Sequence, residues 1–276
     1  MPGKADLHIH TNHSDGYHSP VEIVRMAKAA GLDIISITDH DSLNGIKEGV
    51  DEGSRQGVEV ISGVEISSDI KDKELHILGY FIEPEHEEVE RYLSFFREER
   101  FKRAERIVKK LNNLGLPISL YDVVDRAKTS AIGRPHIAQA LCDKGITTSF
   151  YEAFNKYIGN GCPAYEKKVH ISPHSAFKII SDAGGLSFIA HPSYMPENLL
   201  KEVIEAGVDG IEVIHPSHNP QQTRFYKGIV NEYFLLESGG SDYHGGKRED
   251  DPNLGKYYTN FASVEAMRRR ILKNSA

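Results

Sequence analysis

Short apolar runs alternate with segments of helical period over the first 84 residues. ADLHIH at residues 5–10 predicts a strand. DIISITD, rich in β-branched residues, predicts a second, VEVISGVEIS a third and ELHILGYFI a fourth. Ser19-Pro20-Val21-Glu22 reads as a capping box with proline at the first helical position. Val21, Val24, Ala27 and Ala30 follow at helical spacing, and Gly31 ends that helix. A polar helix is expected over 42–56. Near residue 85 the pattern changes. Residues 87–114 read as one long helix with Leu93, Phe96, Ala104, Ile107, Leu111 and Leu114 as its apolar stripe. Further helices are expected at 120–128, 134–144 and 147–158. The earlier rhythm then returns. Ser172-Pro173 starts a helix that ends at Gly184-Gly185, and LSFIAHP, DGIEVIHP and FLLESGGSDYH each begin as strands. Helices at 196–206, 219–232 and 263–273 follow them. Seven strand-helix units imply parallel pairing in an α/β sheet or barrel. The expected organisation is a barrel domain over 1–84 and 169–276, with an all-helical insertion over 85–168 that covers the active site.

Composition narrows the class. A chain of 276 residues, 39% apolar, fits one large domain or one domain with a smaller insert. A net charge of −7 argues against a general nucleic-acid coat protein. Two cysteines, Cys142 and Cys162, are too few for a disulfide framework. The segment MPGKADLHIH lacks the apolar core of a signal peptide, and no run has the length of a membrane helix. The expectation is a cytoplasmic protein with no membrane association and no stable protein partner. The chain also holds 14 histidines, and their positions carry the argument.

In an α/β protein the ligand site lies at the carboxyl ends of the strands. Here those ends collect metal-type ligands. The first strand carries His8 and His10, with Asp15 beyond it. The second ends in Asp39-His40-Asp41, the third leads to Glu65 and the fourth contains His76. Later ends hold His191, then His215 and His218, then Asp242 and His244. Residues i and i+2 of a strand face one side, so His8 and His10 point together, as do Asp242 and His244 if that segment stays extended. Paired imidazoles suit zinc, iron or manganese, while carboxylates favour manganese or magnesium. Eight or nine ligands exceed one ion's needs and imply two or three divalent ions, with Glu65 the best-placed bridge.

Blander readings apply to single residues. His76 alone would pass as a satisfied core histidine. Asp39 and Asp41 would serve as caps for the next helix. His13, His18, His86, His170 and His174 carry no strand-end argument and read as loop or surface residues. Taken together, the strand-end set is difficult to obtain from structural needs.

DLHIHTNHSDG, ITDHDS, GVEIS, HILGY, AHP and GGSDYHG, in that order over nearly the whole chain, resemble the successive motifs of the PHP (polymerase and histidinol phosphatase) family. The resemblance implies a distorted (β/α)7 barrel, TIM-like, with a trinuclear metal site. It implies one ion on His8, His10, Glu65 and Asp242, a second on Glu65, His76 and His191, and a third on Asp15, His40 and His244. Many relatives have histidine where Asp15 stands. The carboxylate, and a helical insertion containing GRPHIA, resemble the branch of 3′,5′-nucleoside bisphosphate phosphatases and a 5′-to-3′ exoribonuclease activity. The implied reaction is hydrolysis of nucleotide phosphate monoesters by a metal-bridging hydroxide, with no protein nucleophile; the acid is either a pocket histidine, His244 being the candidate, or a metal-bound water. The expected cofactors are two or three divalent ions among Mn, Fe, Zn and Mg, with manganese favoured. The expected substrate is a phosphorylated nucleotide or short oligonucleotide.

A phosphate substrate also calls for cations from the chain. REERFKRAERIVKK, residues 97–110, reads largely as a solvated helix face. Arg100 interrupts the apolar stripe and so faces the packed side, with Arg97 and Arg103 close by. Arg134 stands at a helix start, where free N–H groups favour an anion. His136 and His218 are pocket candidates of lower rank. Three rivals remain at this point: a histidinol-phosphate or other small-molecule phosphatase, a non-catalytic metal-binding regulatory module, and a metal-dependent amidohydrolase. The last lacks a clear carboxylated-lysine candidate.

Overall fold

Strands β1 (Lys4–Ile9), β2 (Ile34–Ile37), β3 (Glu59–Ile70), β4 (Lys73–Tyr80), β5 (Leu186–Ile189), β6 (Gly210–Ile214), β7 (Leu236–Gly239) and β8 (Thr259–Asn260) form one sheet in the order β7-β6-β5-β4-β3-β2-β1-β8. The computed structural model describes residues 3–71, 73–127, 131–169, 171–193, 195–248 and 250–274. The chain forms two compact units, Met1–Glu90 with His170–Ala276, and Arg91–Val169. His170, read above as a surface or loop residue, lies outside the described residues.

The first unit is a barrel-like α/β sheet. Its ends approach each other where the Ser241 N–H donates to Asp6 Oδ1 at 2.9 Å and the His10 N–H donates to Tyr243 O at 2.9 Å. Gly240 permits this approach: a Cβ there would stand 2.5 Å from both Cβ and N of His8. Any larger residue would force the two strand ends apart.

The expected parallel pairing holds for β1–β2, β2–β3, β5–β6 and β6–β7 but not throughout. β4 runs antiparallel to both β3 and β5, and β8 runs antiparallel to β1. The reason lies in the connections. β3 ends at Ile70 and β4 begins at Lys73, so only a hairpin fits, whereas a parallel crossover needs a dozen or so residues. Among the described residues eight strands stand where seven units were expected, β8 being a two-residue edge.

The helices follow their local signals. α1 (Pro20–Ala29) starts at the Ser19–Glu22 capping box, which contributes about 1 kcal/mol to such a helix. Ile23, Val24 and Ala27 of α1 pack on Ile9 and Ile35 of the sheet. α2 (Ile46–Gln56) begins later than the pattern suggests, with Gly45 at its N-cap. Neither Asp39 nor Asp41 caps it, and both work elsewhere.

The second unit contains most of α3 (Glu87–Asn113), with α4 (Leu120–Ala127), α5 (Arg134–Asp143), α6 (Phe150–Ala153) and a π-helical turn, Phe154–Ile158. Ile107, Leu111, Val123, Ile137, Leu141 and Ile158 form its core. Back in the first unit, α7 (Pro173–Asp182), α8 (Glu197–Glu205), α9 (Pro220–Glu232) and α10 (Phe261–Asn274) alternate with the later strands. No helix among the described residues is long and apolar enough to cross a membrane.

Candidate metal centre

The site is built at the strand ends of the barrel unit. β1 brings in His8 and His10, whose Nε2 atoms lie 3.1 Å apart, in agreement with their sharing one face. A register shift falls between Asp6 and Ile9, so the irregularity of β1 lies in the interval that holds Leu7 and His8. A second shift falls between Glu212 and Ile214 of β6. Bulges of this kind re-aim side chains beside active sites. Three polar residues near strand ends also hold the left-handed backbone region: Asp41 (φ 48°), His191 (φ 27°) and Asp242 (φ 50°). That conformation is unfavourable for residues other than glycine and persists where the surroundings impose it. It also corrects the extended reading of Asp242–His244. The chain turns at Asp242, yet Asp242 Oδ1 and His244 Nδ1 still lie 3.7 Å apart.

Glu65 stands at the centre, 1% exposed. Its Oε2 lies 3.0 Å from His40 Nδ1, 3.3 Å from His10 Nε2 and 3.5 Å from His8 Nε2. Its Oε1 lies 2.8 Å from His76 Nδ1 and 3.1 Å from His191 Nε2. Asp242 Oδ1 faces His8 and His10 at 3.3 and 3.2 Å. Asp15 Oδ1 faces His244 at 3.3 Å and His40 at 3.9 Å. All nine residues expected as ligands thus converge in the barrel unit. Several groups of three or four of them bring one ligand atom each within 4.8 Å of the others.

The donor set fits divalent metal ions. Among the described residues His10 Nδ1, His40 Nδ1, His76 Nδ1, His244 Nε2 and Glu65 Oε2 are buried and make no well-aligned hydrogen bond, although His40 and His76 Nδ1 stand 3.0 and 2.8 Å from Glu65. Buried polar atoms are ordinarily paired, so a cluster of exceptions pointing at common space needs an explanation. His8 Nδ1 lies 2.9 Å from Glu212 Oε1, which can only accept a hydrogen bond. Nδ1 therefore carries the proton, and the lone pair sits on Nε2, toward His10, Glu65 and Asp242. A carboxylate behind a histidine in this way fixes the tautomer that ligates metal.

The charges reinforce one another. Burial alone would push Glu65 up, but His40, His76 and His8 hold its carboxyl well below the usual range. Asp242 is lowered in the same way against burial, chiefly by His8 and His10. Burial pushes His10 and His76 down, yet the carboxylates win. His10 rises to about 9 beside Asp242 and Glu65, and His76 to about 10 beside Glu65. His40 falls to about 4, because burial there outweighs Glu65 and Asp15. A field that draws protons onto buried imidazoles also draws divalent cations, which compete with those protons.

Several contributors escaped the sequence reading. Glu212 is fully buried on β6; besides holding His8, it accepts the His191 N–H at 2.7 Å. Its signal was a carboxylate inside the apolar run GIEVI. His215 appeared at a strand end but was not counted among the ligands. Its Nε2 stands 3.4 Å from Asp242 Oδ2, and it groups with His8 and Glu212. Arg248 pairs with Asp15 and had no signal in its charged loop. Asp39 accepts from Thr11 N and Oγ1 at 2.7 and 2.6 Å and from Ser14 Oγ at 2.6 Å. It thereby shapes the loop that carries Asp15. Asp41 accepts from the Ser67 N–H at 3.0 Å.

Of the expected substrate contacts, His218 lies in the barrel unit, its Nδ1 donating to Val213 O at 3.0 Å and its ring 5.6 Å from that of His215. The others lie in the helical unit. Arg97 is half-buried and donates to Ser94 Oγ at 2.8 Å. Arg100 and Arg103 are buried, and Arg103 Nε donates to Glu166 O at 2.9 Å. Arg134 opens α5, donates to Asn160 Oδ1 at 2.9 Å and lies over the rings of Phe154 and Tyr165. His136 Nδ1 accepts the Gly133 N–H at 3.0 Å.

Fold and site together define a barrel hydrolase built around metal ions, and comparison with known proteins agrees. Residues 6–115 match the PHP domain family. The chain is similar to a 5'-3' exoribonuclease of Haemophilus influenzae, 32% identical over 250 residues that span 88% of this chain and 91% of that one. It is similar to a 3',5'-nucleoside bisphosphate phosphatase of Chromobacterium violaceum, 31% identical over 247 residues, 87% of this chain and 86% of that one. A solved structure from Bifidobacterium adolescentis, assigned as a metal-dependent phosphoesterase, matches with a TM-score of 0.89 at 30% identity and 98% coverage of both chains. The chain belongs to the PHP family and is a metal-dependent phosphoesterase.

Proposed function

We propose that this enzyme hydrolyses phosphate monoesters of nucleotides, with 3′,5′-nucleoside bisphosphates as main substrates and the 5′ ends of short RNA as further ones. The observation that carries the reading is the single buried carboxylate of Glu65, whose two oxygens lie within 3.5 Å of five imidazoles. The names of the relatives from Haemophilus and Chromobacterium support the nucleotide substrate. The proposed ligand sets are His8, His10, Glu65 and Asp242; Glu65, His76 and His191; and Asp15, His40 and His244. They would hold two or three divalent ions, with manganese favoured by the mixed nitrogen and oxygen donors. When bound, such ions polarise phosphoryl oxygens and lower the pKa of water.

The chain's own residues do the rest. Glu212 orients His8, and Arg248 holds one oxygen of Asp15 so that the other faces His40 and His244. His244 Nδ1 donates to Asp242 O at 2.8 Å, which leaves the lone pair on Nε2. Ligation uses that lone pair, whereas acting as an acid would need a proton on the same atom. We therefore assign His244 to ligation.

A phosphate-release panel with added manganese tests the substrate. Adenosine 3′,5′-bisphosphate and 5′-phosphorylated short RNA should be turned over in preference to histidinol phosphate. Preference for histidinol phosphate would overturn the nucleotide reading, and absence of phosphate release from every substrate would favour a binding module.

A further inference from the structure

A cavity of about 300 Å³ opens beside the cluster within the barrel unit. That volume lies at the lower end of small-molecule sites. One side is formed by His76 and His191, two of the candidate ligands. Their side chains are 19% and 28% exposed, while those of His8 and His10 are fully buried. The cluster is thus closed at β1, and His76 and His191 are among its exposed members, with His40 at 18% and Asp242 at 28%.

Much of the remaining lining is apolar and includes Leu75, Pro192, Met195 and Leu199. Its charged members, Lys73 and Glu74, carry opposite signs. Apart from the two histidines, the lining therefore brings no net charge, yet offers both polarities at its edge. Its walls are fastened. The Tyr226 hydroxyl donates to Pro192 O at 2.6 Å and Gln222 Nε2 donates to Ser193 O at 2.8 Å, tying the β5–α8 loop to α9. An ion pair between Lys71 and Glu202 ties the β3–β4 turn to α8. Contacts of this kind reduce the ordering that a bound ligand would have to impose.

We propose that this cavity receives the nucleobase of the substrate while the scissile phosphate lies on the cluster. The inference rests on the nucleotide reading above and adds to it the place of the base. A flat heterocycle matches a slot of proline, leucine and thioether groups, since apolar and sulfur atoms pack well against aromatic faces. Ring donors and acceptors would meet Lys73 and Glu74 at the edge. A base-free sugar phosphate would leave the apolar lining in water.

The test compares kcat/KM for adenosine 3′,5′-bisphosphate with that for the abasic sugar bisphosphate, in wild type and in Met195→Ala and Met195→Glu. Met195 is only half-buried, so truncation should spare the fold. Bound manganese per chain checks that the cluster is intact, and Met195→Leu serves as the conservative rescue. The wild type should prefer the nucleotide. Both disruptive variants should cut that preference about tenfold, through KM, as expected for lost contacts to a base. Tyr17 supplies the counter-test. It is 70% exposed, and its N–H donates to His244 O at 2.7 Å, on the β1 and β7 side of the cluster. A preference that survives in the Met195 variants, or that is lost in Tyr17→Ala alone, overturns the cavity and leaves the nucleotide reading standing. A wild type without any preference for the base overturns both.

Discussion

At the centre of the barrel unit, Asp6, His8, His10, Glu65 and Glu212 are each at most 1% exposed. At the centre of the helical unit stand Ile107, Leu111, Val123, Leu141 and Ile158. The two cores follow different physics. An aliphatic core is stabilised by removing apolar surface from water. A core of ionisable groups costs several kcal/mol per buried ion unless opposite charges and hydrogen bonds compensate. In the barrel the compensation is partial: carboxylates face imidazoles, yet several ligand-type atoms make no well-aligned hydrogen bond. Such a donor set fits divalent cations. The helical unit is a packed fold that carries arginines; the barrel unit is a fold arranged around a site.

The largest effect that would break this comparison comes from Glu65. Glu65→Ala removes the one group shared by five imidazoles. Turnover should fall on the order of a thousandfold or more, since the electrostatic stabilisation of the transition state goes with the ions. Manganese content should fall too, and so should the rise in Tm that added manganese gives the wild type by mass action. A variant with full metal loading and wild-type turnover would mean that the barrel core is only an unusual polar core.

Much of that barrel core was legible in advance, and the reasons are local. Histidine and carboxylate at strand ends are conspicuous against β-branched runs, and the two-residue period puts His8 and His10 on one face. The capping box at Ser19 likewise fixes the start of α1 with four neighbouring residues. The features that escaped depend on long-range geometry. The antiparallel placement of β4 follows from a hairpin too short for a crossover, a length hidden by the apparent strand-helix rhythm. The turn at Asp242 and the register shifts in β1 and β6 have no composition signal. Glu212 looked like an ordinary strand residue because its partners, His8 and the His191 amide, are about 200 and 21 positions away. Arg248 meets Asp15 across 233 positions. A sequence shows which residues are suited to a site more readily than which residues hold them in place.

Glu212 gives the intermediate effect. It orients His8 through Nδ1 and His191 through its backbone, and it also groups with His8 and His215. Glu212→Gln keeps the shape and removes the charge. Manganese affinity, measured by titration calorimetry on the apo protein, should weaken about 10- to 100-fold, as for other residues that support metal ligands. The barrel should remain folded by circular dichroism. Unchanged affinity would show that His8 is oriented by packing alone, and the contrast between the two cores would then rest on the ligands themselves.

The smallest expected effect lies in the helical unit and sharpens its side of the comparison. Arg134 has an ordinary structural explanation: it ties the start of α5 to Asn160 and covers Phe154 and Tyr165. Arg100 is buried, with its Nη1 3.8 Å from where a Cβ on Gly133 would stand. If these arginines serve only the fold, Arg134→Ala and Arg100→Ala should lower Tm and change two substrates alike. If they bind the second phosphate, KM for adenosine 3′,5′-bisphosphate should rise about tenfold relative to that for a simple phosphomonoester, the size expected for one charged hydrogen bond. The ratio of the two KM values separates these cases, because a general loss of folded enzyme lowers activity toward both substrates and cancels in it. An Arg134→Lys variant extends the argument. Lysine keeps the charge but loses the planar fork, so a phosphate held by two parallel N–H groups should remain weakened, whereas one attracted only by charge should recover.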